Sequence, residues 1–290
     1  MNSRLFLLPL VVLFVLTSCK SSNSIEYSFF AAGHVYGNPK DKMHPKGIYK
    51  PFKEKFQLLN EDKNIKMGFM LGDFVWKPNA WKEVQEDILK LDIPIYAVRG
   101  NHDGSLKDFE SKFGKTYHSF IKNRDLYIVL DPNIDQWNIS NNQLIFLKNT
   151  LRNNRKSVNN IFILLHQVIW WSKEKFSKPK PNSIQNRAKE INYWSIIEPI
   201  LKATEKPVYL FAGDVGAFSK EYQKRDHIIE YSYFKEDNIT YVATGMGGGV
   251  RDNFVIVDVL NDGSVKFRLI HLNGNNINGL GELKDYENPN

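Results

Sequence analysis

Several short apolar runs of this chain end on residues able to hold a cation or move a proton. After Phe29-Phe30 come Ala31-Ala32-Gly33-His34; after Phe69-Met70-Leu71 come Gly72-Asp73; after Ala97-Val98-Arg99 come Gly100-Asn101-His102-Asp103. Leu164-Leu165 runs into His166-Gln167, and Leu210-Phe211-Ala212 into Gly213-Asp214. Carboxylate, amide and imidazole are the side chains that hard and borderline divalent ions accept. Each residue taken singly has an ordinary reading: Asp73 and Asp214 as turn formers after glycine, Asn101 as a cap, His166 as a satisfied core histidine. All of them occupy the same position, the end of an apolar run, and that joint pattern favours a metal site.

Strands must bring these residues together. The runs at 27–30, 67–71, 95–98, 126–130, 161–165, 208–211, 239–243 and 254–259 are short, rich in valine, isoleucine and aromatics, and bounded by glycine or polar residues, as buried strands are. Stretches 52–59, 81–91, 141–151 and 192–201 are predicted helices; within the second, Trp81, Val84, Ile88 and Leu91 share one face as ordinary core residues. Alternating strands and helices predict an α/β core of sheets covered by helices, and ligands collect at the carboxyl ends of such strands. The polar segments 149–160 and 172–186 read as surface loops, the second lying where it could cover the site. No internal repeat is present.

With these blocks in place, Gly72-Asp73, Gly100-Asn101-His102-Asp103 and the later His166 resemble the ordered motifs of calcineurin-like metallophosphoesterases. The resemblance extends through 116–120 into 126–131, the helix start at 143–147 and the stretch 244–249, and so covers roughly 28–272. It implies an α/β, calcineurin-like four-layer sandwich of two mixed β-sheets flanked by helices, spanning 28–275 and followed by a polar tail, 276–290. The implied activity is metal-dependent hydrolysis of phosphomono- or diesters; the alternative is a non-catalytic, metallophosphoesterase-like binding protein of the cell envelope.

The family holds two ions, and by resemblance one would be bound by Asp73, Asn101, His166 and Asp214, the last standing where the family has a histidine. For the other, the family's Asp-x-His pair is here Ala32-Gly33-His34, and its last histidine is Gly216. His34 and the shared Asp73 alone remain, unless Asp41, His44 or His227 joins them. One well-formed site is therefore expected instead of two. With two carboxylates it suits manganese or iron better than zinc. His102 matches the family histidine that protonates the leaving group, and Asp103 beside it is expected to orient it.

The amino terminus reads as an export signal, 1–18: Arg4 flanks an apolar run, 5–16, that closes on Leu16-Thr17-Ser18-Cys19. About a dozen apolar residues are short for a membrane span. The tetrad is similar to the lipobox of bacterial lipoproteins, so Cys19, the one cysteine of the chain, is expected to carry lipid at the head of a tether, 19–27. The alternative is a plain cysteine at a signal-peptide end. Acyl chains contribute about 0.8 kcal/mol per buried methylene, enough for several to anchor the protein to an envelope membrane.

With 42 % hydrophobic residues, the remainder of the 290-residue chain suffices for one large domain. The net charge of +7, lowered by one when Arg4 leaves with the signal, suits an anionic partner such as a phosphorylated small molecule, glycan or lipid. The lysines are scattered, which argues against nucleic acid. Tyr36, Phe74, Trp76, Trp170 and Trp171 cluster near the motifs, where they either floor a pocket or pack.

Overall fold

Residues with branched and aromatic side chains favour a pleated, half-buried surface, and the apolar runs become strands. The computed structural model describes residues 24–37, 46–172, 181–216, 231–247 and 252–272. The export signal, Cys19, Asp41, His44, His227 and the tail 276–290 lie outside the described residues. The strands are β1 (Ile25–Ala32), β2 (Ile65–Met70), β3 (Ile95–Ala97), β4 (His118–Lys122), β5 (Asp125–Val129), β6 (Ile161–Leu165), β7 (Val208–Val215), β8 (Tyr231–Glu236), β9 (Ile239–Gly245), β10 (Asn253–Leu260) and β11 (Val265–His271). The helices are α1 (Lys50–Lys53), α2 (Phe56–Glu61), α3 (Trp81–Ile88), α4 (Leu106–Phe113), α5 (Asn141–Asn154) and α6 (Glu198–Lys202).

Two mixed sheets result, one ordered β11-β10-β1-β2-β3 and the other β4-β5-β6-β7-β9-β8. The central strands run parallel, β1 with β2 and β3, and β5 with β6, β7 and β9. Their carboxyl ends therefore gather at one edge. Between the sheets lies an aromatic core in which Phe29 of β1 meets Phe69, Tyr127 and Phe162 edge-on at 5.5, 5.5 and 5.0 Å. Such contacts contribute beyond the area they bury. On the outer face of the first sheet, Phe30, Met70 and Ile256 pack with Phe52, Leu59, Val84 and Phe109. Across the molecule, Ile128 and Ile163 pack with Leu147, Leu151 and Leu201. The four layers are helix, sheet, sheet, helix, as expected.

Several elements depart from the sequence expectation. The predicted helix 52–59 divides into α1 and α2, and α5 runs on to Asn154 into what read as loop. In 192–201 a π-helical turn, Tyr193–Ile197, precedes α6, with the Ile197 amide donating to Asn192 O; Pro199, which lacks an N–H, stands at the start of α6. Helix α4 and strands β4, β8 and β11 were not anticipated. β1 begins at Ile25, inside the segment read as tether. No helix among the described residues is long and apolar enough to cross a membrane.

Candidate metal centre

The parallel strands deliver their polar terminal residues to one point, and the turns there are tight. Gly72 has φ +86, and a Cβ on it would stand 2.5 Å from His166 Nδ1 and 2.8 Å from the Gly100 amide. Glycine is needed for both reasons. The next residue, Asp73, and His34 after β1 also take left-handed backbones, φ 56 and 55, a conformation that non-glycine residues hold only when their surroundings enforce it.

His166 lies at the middle of the site and is fully buried. Its Nδ1 donates to Leu71 O at 2.7 Å, which leaves Nε2 as the lone-pair nitrogen of the neutral ring. Around Nε2 stand Asn101 Oδ1 at 3.2 Å, Asp73 Oδ1 at 3.3 Å and Asp214 Oδ1 at 3.7 Å. Lone pairs facing lone pairs repel unless a positive charge sits among them. Burial disfavours the charged ring, but the Asp73 and Asp214 carboxylates outweigh it and hold His166 up at about 10. A proton on Nε2 thus answers the same electrostatic demand that a cation would. The buried Asp73 is held well below the carboxylate range, the His166 imidazole overcoming the penalty of burial.

His34 is placed differently. Its Nδ1 lies 2.5 Å from Met246 O and its Nε2 3.6 Å from Asp73 Oδ2; burial, against the pull of Asp73, lowers it to about 4. It is a neutral imidazole facing Asp73 Oδ2, whereas His166 faces Oδ1.

Asp214 is gripped by a residue that sequence reading missed. Ser183 donates its amide to both carboxylate oxygens at 3.1 Å and its hydroxyl to Oδ2 at 2.5 Å. The segment read as a possible cover thus contributes three hydrogen bonds to the site. Burial raises Asp214 to about 7. Nothing in the sequence pairs Ser183 with a carboxylate beyond its place in that loop.

Asp103 does not orient the His102 ring. Its fully buried carboxylate accepts from the amides of Asp73, Phe74, Val75 and Gly100 at 2.9, 2.7, 3.2 and 2.7 Å. It locks the loop after β2 to the loop after β3. Burial and the neighbouring Asp73 charge raise it to about 7. The His102 amide donates to Asp73 Oδ1 at 3.1 Å, while the ring points outward between Tyr36 and Trp76. Of the aromatic residues near the motifs, Phe74, Trp170 and Trp171 are packed in the core; Tyr36 is buried beside the site and Trp76 is 41 % exposed.

Among the described residues no group of three or more histidine, cysteine, aspartate or glutamate side chains is arranged to hold a metal ion. Asp214 is the farthest donor from His166 and is turned onto Ser183. Asp73 Oδ1 and Asn101 Oδ1 are the two oxygens nearest His166 Nε2, at 3.3 and 3.2 Å. Carboxylate, amide and imidazole are donor types that a divalent ion accepts, and Asp214 Oδ1 stands 3.7 Å from His166 Nε2 as a further oxygen.

The profile of the calcineurin-like phosphoesterase family matches residues 43–245. The chain belongs to this family. No curated protein matches it. Among solved structures, a purple acid phosphatase from yellow lupin (Lupinus luteus) seeds superposes with a TM-score of 0.59 and 13 % identity over 85 % of this chain and 51 % of that one. The likeness shows the fold, and the chain spans about half the length of that phosphatase. A protein of unknown function from Aquifex aeolicus, at TM-score 0.29 and 14 % identity over 51 % of this chain and 82 % of that one, is too distant to carry an argument.

Against the calcineurin-like pattern, the departures at Ala32 and Gly216 have structural content. Ala32 is buried in the apolar cluster with Phe30, Val35 and Met246. Gly216 has φ +116, and a Cβ there would lie 2.6 Å from Met246 O. A side chain at 216 is excluded by the backbone of the neighbouring strand end, so a histidine in that position would need the loop to be rebuilt.

Proposed function

We propose that this calcineurin-like phosphoesterase is an exported, metal-dependent hydrolase of phosphomono- or diesters that works with one divalent ion. The observation that carries this is the inward convergence of Asp73, Asn101 and His166 on a point that requires positive charge. Asp214 completes the set, and its carboxylate together with that of Asp73 favours manganese or iron. When bound, such an ion supplies an acidified water and polarises a phosphoryl oxygen. The chain's own contributions are to fix the ligands through Leu71 O, Ser183 and the Asp103 clamp, and to deliver a proton to the departing oxygen from His102. Its substrate is a phosphorylated small molecule, glycan or lipid.

The test is metal analysis and hydrolysis on the mature protein. After loading with manganese or iron it should retain about one equivalent and hydrolyse alkyl and aryl phosphoesters, with His102→Ala sharply lowering turnover of the alkyl ester while the metal stays bound. Metal retention near zero with no hydrolysis would sink the proposal. A second reading, a non-catalytic binding protein of the envelope, is favoured by the apolar setting of Ala32 and the closed backbone at Gly216, and it predicts that result. Two retained equivalents would point instead to a second ion held by His34 with Asp41, His44 or His227.

We further propose that Cys19 is acylated and anchors the domain to a membrane of the cell envelope. Cys19→Ser should shift the protein from the membrane to the soluble fraction; a membrane-bound variant would rule lipidation out as the anchor.

A further inference from the structure

His102 needs something to hold its ring, and its sequence neighbour does not. Both oxygens of Asp103 are taken by backbone amides. The groups that touch the ring come from two other loops. The indole of Trp76 lies nearly parallel to the imidazole, with centroids 4.5 Å apart and planes 25° apart. The Tyr36 ring stands across it at 5.5 Å and 75°, and meets Trp76 edge-on at 5.7 Å. In addition, His102 Nδ1 is 3.3 Å from the carbonyl oxygen of Trp76. A carbonyl only accepts, so Nδ1 carries the hydrogen of that bond and Nε2 is the nitrogen left to face a substrate.

Trp76 itself is placed from the other direction. The carboxylate of Asp103 binds the amides of residues 73, 74 and 75, which fixes the backbone leading into Trp76. The residue after His102 therefore anchors the loop whose next residue grips His102. Phe74 and Trp81 on either side of Trp76 are buried, whereas Trp76 is 41 % exposed. Its place is set by the two rings it touches instead of by the core.

We propose that Trp76 is the positioning residue for His102: ring and carbonyl together fix which face of the imidazole is covered and which nitrogen is free. This rests on the assignment of His102 as the acid that protonates the leaving group. Hydrolysis of the ester breaks the bond between phosphorus and the departing oxygen, and water supplies the new oxygen. The doubly protonated ring of His102, its Nδ1–H held by the Trp76 carbonyl, gives its Nε2 proton to the departing alkoxide, is left as the Nδ1–H tautomer, and is reprotonated from the proton that the attacking water releases. That proton matters for a basic alkoxide and hardly at all for a stable phenolate such as 4-nitrophenolate. A positioning residue acting through His102 should share that selectivity.

The experiment compares Trp76→Ala, Trp76→Phe and His102→Ala in the metal-loaded mature protein on a simple alkyl phosphate and on 4-nitrophenyl phosphate. His102→Ala should lower kcat for the alkyl ester by ~100-fold or more and far less for the nitrophenyl ester. Trp76→Ala should show the same selectivity with a loss of ~10-fold on the alkyl ester and KM unchanged, and Trp76→Phe, which keeps an aromatic face, should recover most of it. The 15N shifts of His102 should report the Nδ1–H tautomer in the natural chain and a mixture in Trp76→Ala. Equal losses on both substrates, a raised KM at constant kcat, no recovery in Trp76→Phe, or an unchanged tautomer would each overturn the role of Trp76. If His102→Ala is itself unselective, the acid assignment falls and this inference with it; if His102→Ala is selective and Trp76→Ala is silent, only the inference falls.

Discussion

Asp103 shows most plainly how one side chain in this site carries a task that its neighbours in sequence do not reveal. Beside His102, a carboxylate invites the expectation of an imidazole partner, yet four backbone amides from two loops converge on it. Amides that lose a buried acceptor retain the full cost of desolvation. Asp103→Asn keeps the shape but offers one oxygen in place of two and turns an NH2 toward an N–H. It should destabilise the protein by about 2–4 kcal/mol in denaturant unfolding and weaken metal retention, because the same loops carry Asp73 and Asn101. Unchanged stability would mean that the loops hold without the clamp. Gly72 belongs to the same scale, since its positive φ and the nearness of His166 leave no room for a side chain where the two loops close.

Among the elements, parallel pairing does the work of assembly. The central strands of each sheet run the same way, so residues scattered from 34 to 214 reach one edge. The amides of Gly213 and Asp214 donate to His166 O at 2.9 and 2.8 Å, and the Leu71 amide donates to Ala32 O at 2.7 Å, so adjacent strand ends are stitched just where the ligands emerge. The strands that sequence reading overlooked are of one kind. Strand β11 places Lys266 and Arg268 among its apolar residues, and β4 is half-buried with His118, Ser119 and Lys122 in it. They lie at sheet edges, where one side of the strand is wet and no unbroken apolar run is needed. Helix α4 carries a polar sequence, but Ser105 caps it by accepting from the Asp108 amide at 3.1 Å, a signal that could have been used.

At the scale of the whole molecule the two sheets are joined by polar groups as well as by aromatic packing. Tyr27 on the first sheet donates to Asp125 Oδ2 on the second at 2.5 Å, and Asn160 donates to Asp125 through its amide and side chain at 3.1 and 2.9 Å. Burial raises Asp125 above the ordinary carboxylate range despite these donors. The folded protein thus holds the Asp125 proton more tightly than the unfolded chain does. Its contribution to stability is fully present below about pH 4, where both states are protonated or becoming so, and is lost as pH rises through the elevated folded value. Denaturant unfolding across this range should show stability falling with rising pH, and Asp125→Asn should flatten that fall. An identical pH profile in the variant would assign the slope to other groups.

The order of residue types along the chain was enough to propose the sandwich and the donors His34, Asp73, Asn101, His166 and Asp214, because strand ends can be read from local pattern and ligand chemistry from side-chain type. Tertiary structure alone decided which atoms face one another. The tautomer of His166 follows from Leu71 O, the hold on Asp214 from Ser183, the separation of Asp103 from His102 from amides thirty or so residues away, and the closed backbone at Gly216 from Met246. These are hydrogen bonds and contacts between residues far apart in sequence. Their partners are chosen by how strands stack and turn, and no local pattern encodes that choice.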